Sequence, residues 1–210
     1  MTLPSSYFDA MYDVSPDPWG FTDRWYEQRK YALTLASLPA RRYATAYEPG
    51  CSIGVLTESL ADRCDALLAS DGASAAVTQA QQRLASRPWV WVEQRRLPDQ
   101  WPTGRFDLVV VSELLYYFDG DDLPAMAGSV VEAVAPGGTV LAVHWRHPVD
   151  DYPHGGDAVH EVLGNAALSS GLLVMARHVE DDFLLEVFTR PGDDEPAGRT
   201  VSVASREGLV

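Results

Sequence analysis

The stretch Ala46-Tyr-Glu-Pro-Gly-Cys-Ser-Ile-Gly-Val-Leu-Thr57 sets the tightest limit on what this chain can fold into. Residues Tyr43 to Tyr47 are apolar or small and predict a strand, whereas Val55 to Ala61 predict a helix with Ser52 as its cap. The segment is therefore strand, glycine turn, helix. Gly50 and Gly54 remove side chains where a ligand and the backbone must approach, and the turn aims free N–H groups at that ligand. Asp71 follows the apolar run Ala66–Ala69 and lies 23 positions after Glu48. That is the spacing of a carboxylate that accepts hydrogen bonds from ribose hydroxyls at the next strand end.

A nicotinamide dinucleotide site prefers Gly-x-Gly-x-x-Gly, with a pyrophosphate on the helix N-terminus. Here the order is Glu-x-Gly-x-x-x-Gly. A carboxylate at Glu48 repels a pyrophosphate but attracts an ammonium group. S-adenosylmethionine carries an ammonium and a ribose and no phosphate.

Apolar runs predict further strands, giving Ala44–Glu48, Ala66–Ser70, Val90–Gln94, Phe106–Ser112, Thr139–His144, Leu172–His178 and Phe183–Thr189. Helices are expected at Val55–Ala61, Ala73–Leu84, Leu123–Ala133 and Ala158–Ser169. Such alternation predicts an α/β fold, a mainly parallel sheet covered on both faces. Only Val179 to Asp182 separate the last two strands, too few for a crossover, so these should pair antiparallel. The 210 residues fit one domain: a cap (residues 1–42) with a Pro- and Trp-rich segment and a helix Thr22–Leu38, a core (43–189), and a tail (190–210) whose stretch Pro191–Gly198 is expected to be mobile.

The formal net charge of −14 disfavours nucleic acid, and no basic cluster exceeds Arg95-Arg96 or Arg41-Arg42. No apolar run approaches the length of a membrane span and no leader is visible, so no membrane partner and a cytoplasmic location are expected. Cys51 and Cys64 lack metal or redox spacing and should be free thiols.

The strings Asp17-Pro-Trp-Gly-Phe21, Tyr26-Glu-x-x-Lys30, Glu48-Pro-Gly-Cys-Ser-Ile-Gly-Val-Leu-Thr57 and Phe106-Asp-Leu-Val-Val-Val-Ser-Glu-Leu-Leu-Tyr-Tyr-Phe118 resemble class I S-adenosylmethionine-dependent methyltransferases. Within that superfamily the chain is similar to the NodS family of N-methyltransferases. The resemblance implies a Rossmann-like seven-stranded, mainly parallel sheet with an antiparallel terminal hairpin and an N-terminal helical cap. It also implies S-adenosyl-L-methionine as cofactor, S-adenosyl-L-homocysteine as product, and the nitrogen of a deacetylated amino sugar as acceptor. Glu48, Gly50, Ser52, Gly54 and Asp71 match cofactor positions, with Ser52 where a glycine often stands. At Glu93-Gln-Arg-Arg-Leu-Pro98 the chain offers Arg95 where relatives place an aspartate for adenine.

Ligands in open α/β sheets bind beyond the strand C-termini, so the loops starting at Glu48, Asp71, Gln94, Ser112 and His144 should converge. Ser112 joins the cofactor set. Trp19 and Tyr26 are candidates to cover the sulfonium with their ring faces, and Lys30 to pair with the cofactor carboxylate; all three read equally well as ordinary cap residues. Glu113 is the candidate to hold an acceptor ammonium and take its proton. His144 is the candidate general base, with Tyr116, Tyr117, Trp145 and His147 shaping the acceptor pocket and Asp157 capping the next helix. Four of the five histidines fall between His144 and His160, but their spacing fits no common ligand pattern, so no metal is expected. The partner is a small-molecule acceptor, and a homodimer stays open. O-methylation, which would make His144 essential, and a non-catalytic cofactor-binding protein are the alternatives.

Overall fold

The computed structural model describes residues 1–193 and 201–210. Helices α1 (Ser5–Val14) and α2 (Trp25–Ala36) precede the first strand, β1 (Tyr43–Pro49). Then follow α3 (Val55–Ala61), β2 (Cys64–Asp71), α4 (Ser74–Arg83), β3 (Val90–Gln94) and β4 (Phe106–Ser112). A 3-10 turn (Leu115–Tyr117) leads to α5 (Asp122–Glu132), β5 (Val134–Trp145), α6 (Gly156–Ser169), β6 (Leu173–Val179), β7 (Phe183–Thr189) and α7 (Val203–Arg206). The strands form one sheet in the order β3-β2-β1-β4-β5-β7-β6. The first five are parallel, and β7 inserts antiparallel between β5 and β6.

Central strands here read as unbroken apolar runs because both faces are covered. Along β4, Val109 and Val111 join Val140 and Ala142 of β5 beneath Met126 and Val130 of α5 and Leu163 of α6. Leu108 and Val110 point the other way and join Leu141, Val143 and the α3 residues Leu56 and Leu60. Each fully buried leucine of this kind contributes about 1.5–3 kcal/mol. Because β1 continues to β2 on one side and meets β4 on the other, a crevice opens between the C-terminal ends of β1 and β4. Glu48 lies at one lip of it and Ser112 at the other.

Several boundaries differ from expectation. α1 was not anticipated, and α2 is shorter than Thr22–Leu38 at both ends. β5 begins at Val134 rather than Thr139: the register with β4 shifts between Phe106 and Leu108, so Pro136-Gly137-Gly138 is an irregularity inside the strand. Ser52 does not cap α3; Gly54 does, in the left-handed conformation with φ 79°. Nor is Asp157 a cap, since Gly155 holds that position and Asp157 forms a two-point ion pair with Arg146 at 2.8 and 3.0 Å. α6 starts directly against β5: a Cβ on Gly156 would stand 2.2 Å from the Trp145 carbonyl oxygen. From residue 194 on, the stretch expected to be mobile lies outside the described residues. Among the described residues no helix is long and apolar enough to cross a membrane.

Candidate active site

A cavity of about 570 Å³ fills the crevice and is walled by the cap and by the loops after β1, β2, β3, β4 and β5. On its β1 side the backbone takes three left-handed residues in five, Gly50 (φ 72°), Ser52 (φ 49°) and Gly54 (φ 79°). For a serine this conformation costs about 1–2 kcal/mol, and the surroundings hold it in place. Ser52 N–H donates to Asp71 Oδ2 at 2.9 Å, and its hydroxyl hydrogen-bonds the Tyr12 hydroxyl at 2.5 Å. Asp71 Oδ1 accepts from Ala73 N–H at 2.9 Å. Each Asp71 oxygen keeps a second lone pair for a ribose hydroxyl.

Glu48 is 2% exposed, lines the cavity, and its Oε2 has no hydrogen-bond partner. Burial pushes its carboxyl up to about 8, with the charge of Asp71 adding to the rise. Thr57 lowers it in part; a buried acid in a cavity wall with so few partners fits a ligand ammonium. Gly50 leaves the space a side chain would fill: a Cβ there would stand 2.9 Å from Leu114 Cδ1. Gly54 is not in the cavity wall; it lets α3 begin against Ala80 of α4. Trp19, Tyr26, Arg95 and Ser112 line the cavity. Arg95 is paired with Glu93, while Asp99, four residues on, also reaches the wall.

On the β4 side the cavity is walled by an ionic cluster. Lys30, 1% exposed, lies 2.6 Å from Glu113 Oε1 and 2.9 Å from Glu27 Oε2. Burial alone would lower the Lys30 ammonium, but Glu113 and Glu27 outweigh it and hold it raised. The ammonium is thus engaged by two carboxylates, which corrects its expected pairing with the cofactor carboxylate. Glu113 Oε2 accepts a short hydrogen bond from the Tyr116 hydroxyl and another from Trp145 N–H at 2.9 Å. Three donors therefore hold Glu113, whose own backbone is left-handed at φ 53°. A carboxylate held in this way keeps one acceptor position, on Oε1. Tyr117, Trp145 and Tyr152 complete this end of the cavity.

His144 does not face the cavity. Side chains alternate along a strand, so with Trp145 in the cavity wall His144 points under α6, where it is fully buried. Its Nε2 accepts from Leu115 N–H at 3.1 Å, and its Nδ1 meets His160 Nε2 at 3.1 Å. His160 Nδ1 in turn faces Glu186 Oε2 at 2.8 Å. This chain fixes the tautomers: Nδ1 of His144 donates to His160, and Nδ1 of His160 donates to Glu186. Burial, and secondarily His160 and Lys30, hold His144 well below the usual imidazole range. It is an anchor for the 3-10 turn rather than a base. His147 is likewise outside the cavity, half exposed and paired with Asp182 at 2.8 Å. Among the described residues no group of histidine, cysteine and acidic side chains could hold a metal ion. Cys51 and Cys64 are free and buried.

Tyr12 and Asp99 line the cavity without having been singled out in the sequence, and Glu27 and Leu114, which stood there only inside matched strings, line it as well. For Glu27 a signal existed, its place three residues before Lys30 on a predicted helix.

A profile of the family described as Nodulation protein S (NodS) matches residues 10–192. Nodulation protein S of Bradyrhizobium diazoefficiens is 30% identical over 190 residues, which cover 84% of this chain and 87% of that protein. Nodulation protein S of Rhizobium tropici is 32% identical over 133 residues, 61% of this chain but only 55% of the relative. Among solved structures, a Pseudomonas syringae protein assigned to the methyltransferases is 46% identical with a TM-score of 0.70, covering 80% of this chain and 100% of that one. N-methyltransferase NodS from Bradyrhizobium japonicum WM9, solved with S-adenosyl-L-homocysteine, shares the fold with a TM-score of 0.78 at 24% identity, over 89% of this chain and 98% of its own.

Proposed function

The chain belongs to the Nodulation protein S (NodS) family, and on that premise we propose that it is an S-adenosylmethionine-dependent methyltransferase whose acceptor is an amine nitrogen, in the first instance that of an amino sugar. The observation that carries the reading is the pair of carboxylates, buried Glu48 and Asp71, at neighbouring strand ends in a single cavity. Glu48 binds the cofactor ammonium and Asp71 the ribose, while Asp99 is a carboxylate within reach of the adenine end. Ring faces of Trp19 and Tyr26 favour a neighbouring cation by about 0.5–2 kcal/mol. The cofactor supplies an electrophilic methyl group on a sulfonium. What the protein adds is alignment of nucleophile, methyl carbon and sulfur, and exclusion of water by the aromatic cap.

An amine is favoured over a hydroxyl because the acceptor end of the cavity brings the carboxylates of Glu27 and Glu113 together with the rings of Tyr26 and Trp145, which favour a cation. A cytoplasmic location and a small-molecule acceptor belong to the same reading. Calorimetric titration with S-adenosyl-L-homocysteine, with NAD as control, tests the cofactor half; micromolar binding of the first alone is expected, and binding of NAD would overturn it. Transfer of labelled methyl to oligomers of glucosamine but not to their N-acetylated forms tests the acceptor half. Labelling of the acetylated forms instead would move the reaction to oxygen.

A further inference from the structure

We infer that Glu27, together with the hydroxyl of Tyr26, seats the acceptor's ammonium group and takes its proton, which makes Glu27 a catalytic residue. The inference rests on the amine reading given above and names the group that performs its acid–base step.

Of the carboxylates at the β4 end, Glu113 is held by three donors, Lys30, the Tyr116 hydroxyl and the Trp145 backbone N–H, and Glu27 by Lys30 alone. Glu27 is only 6% exposed, yet its one ion-pair partner among the described residues is Lys30. Lys30 Nζ, 2.9 Å from Glu27 Oε2, leaves that carboxylate with acceptor positions to spare. The Tyr26 hydroxyl is buried and has no hydrogen-bond partner among the described residues. Both residues line the cavity, and the Tyr26 ring stands edge-on to Trp145 with centroids 5.4 Å apart. Leaving such a polar atom unsatisfied is costly, and in native proteins ordered water, an ion or a ligand completes it. Burial holds the Glu27 carboxyl above its ordinary value in spite of Lys30, the direction that suits a proton acceptor.

In the step, an N–H bond of the acceptor ammonium breaks, the proton goes to the Glu27 carboxylate and the electron pair stays on nitrogen. That pair forms the N–CH3 bond as the C–S bond breaks, its electrons remaining on the sulfur of S-adenosylhomocysteine. The product is a secondary ammonium, and the proton on Glu27 is released to solvent.

The test titrates protein saturated with S-adenosyl-L-homocysteine with the β-1,4-linked glucosamine tetramer, using the fully N-acetylated tetramer as control, and then measures turnover across pH. Expected for Glu27→Gln are a loss of tetramer affinity of at least tenfold, a fall in kcat of about a hundredfold or more, and unchanged S-adenosylhomocysteine affinity. Tyr26→Phe, which leaves the ion cluster intact, should lose several-fold in tetramer affinity alone. Wild-type tetramer affinity in both variants overturns the inference and leaves the amine reading standing. A parallel loss of S-adenosylhomocysteine affinity overturns it by moving Glu27 to the cofactor. A wild-type protein that binds neither tetramer fails the amine reading itself, and the inference with it.

Discussion

Glu48→Gln offers a quantitative test of the cofactor site, because a carboxyl at about 8 in the free protein must release its proton to hold an ammonium. The apparent affinity for S-adenosyl-L-homocysteine then scales as 1/(1 + 10^(8 − pH)), so between pH 6 and pH 8 it should rise about fiftyfold, or about 2.3 kcal/mol. Calorimetry in two buffers of different ionisation enthalpy should count about one proton released per complex at pH 6 and about half a proton at pH 8. Glu48→Gln should abolish both the slope and the proton release, with the larger loss of affinity at pH 8. The sign for folding is opposite. The folded value lies above the ordinary 4.5, so the free protein is favoured below that value and loses stability as pH rises towards 8. The full loss is of order 5 kcal/mol. The glutamine variant should therefore unfold at higher urea than wild type at pH 8 while binding cofactor less well. Affinity that is flat from pH 6 to pH 8 with no proton release, or a slope that survives in the variant, would refute the assignment of Glu48 to the ammonium.

Two further substitutions test the walls of the site. Lys30→Met leaves Glu27 and Glu113 facing each other without a counter-ion and should cost about 3–5 kcal/mol in urea unfolding at pH 7.5, less at pH 5, where one carboxylate takes up a proton; an unchanged midpoint would mean the cluster is solvated. His144→Ala should cost about 1–3 kcal/mol by leaving Leu115 N–H unsatisfied. Since the folded imidazole lies well below its usual range, wild type should also lose stability as pH falls below about 6.5, and the variant should lose less. Loss of turnover with no change in stability would restore His144 as a base.

Most of the sheet was legible because its strands are covered on both faces. Val90–Gln94, Phe106–Ser112, Phe183–Thr189 and the helix Val55–Ala61 keep their expected bounds. Elements that depend on tertiary contact were not legible. α1 buries only Tyr12, and its aromatics pack on the cavity rim and on Ser52, so its local pattern carries little signal. The early start of β5 was hidden by Pro136-Gly137-Gly138, which reads as a loop and is in fact a bulge. In the site, the positions of Glu48, Asp71 and Trp145 followed from strand ends, but His144 and Trp145 were expected on one side although adjacent strand residues face opposite ways. Partners of Glu113 could not be read either, because Lys30, Tyr116 and the Trp145 backbone come from three separate segments.

Leu114 lies over Gly50, so the turn that follows β4 rests on the loop that follows β1 at this leucine. For protein engineering this makes the two loops one transplantable unit. Exchanging residues 113–117 to change acceptor preference would succeed only with a side chain at 114 that still settles on the bare glycine, and a bulkier residue there would push on the cofactor loop before any acceptor arrived.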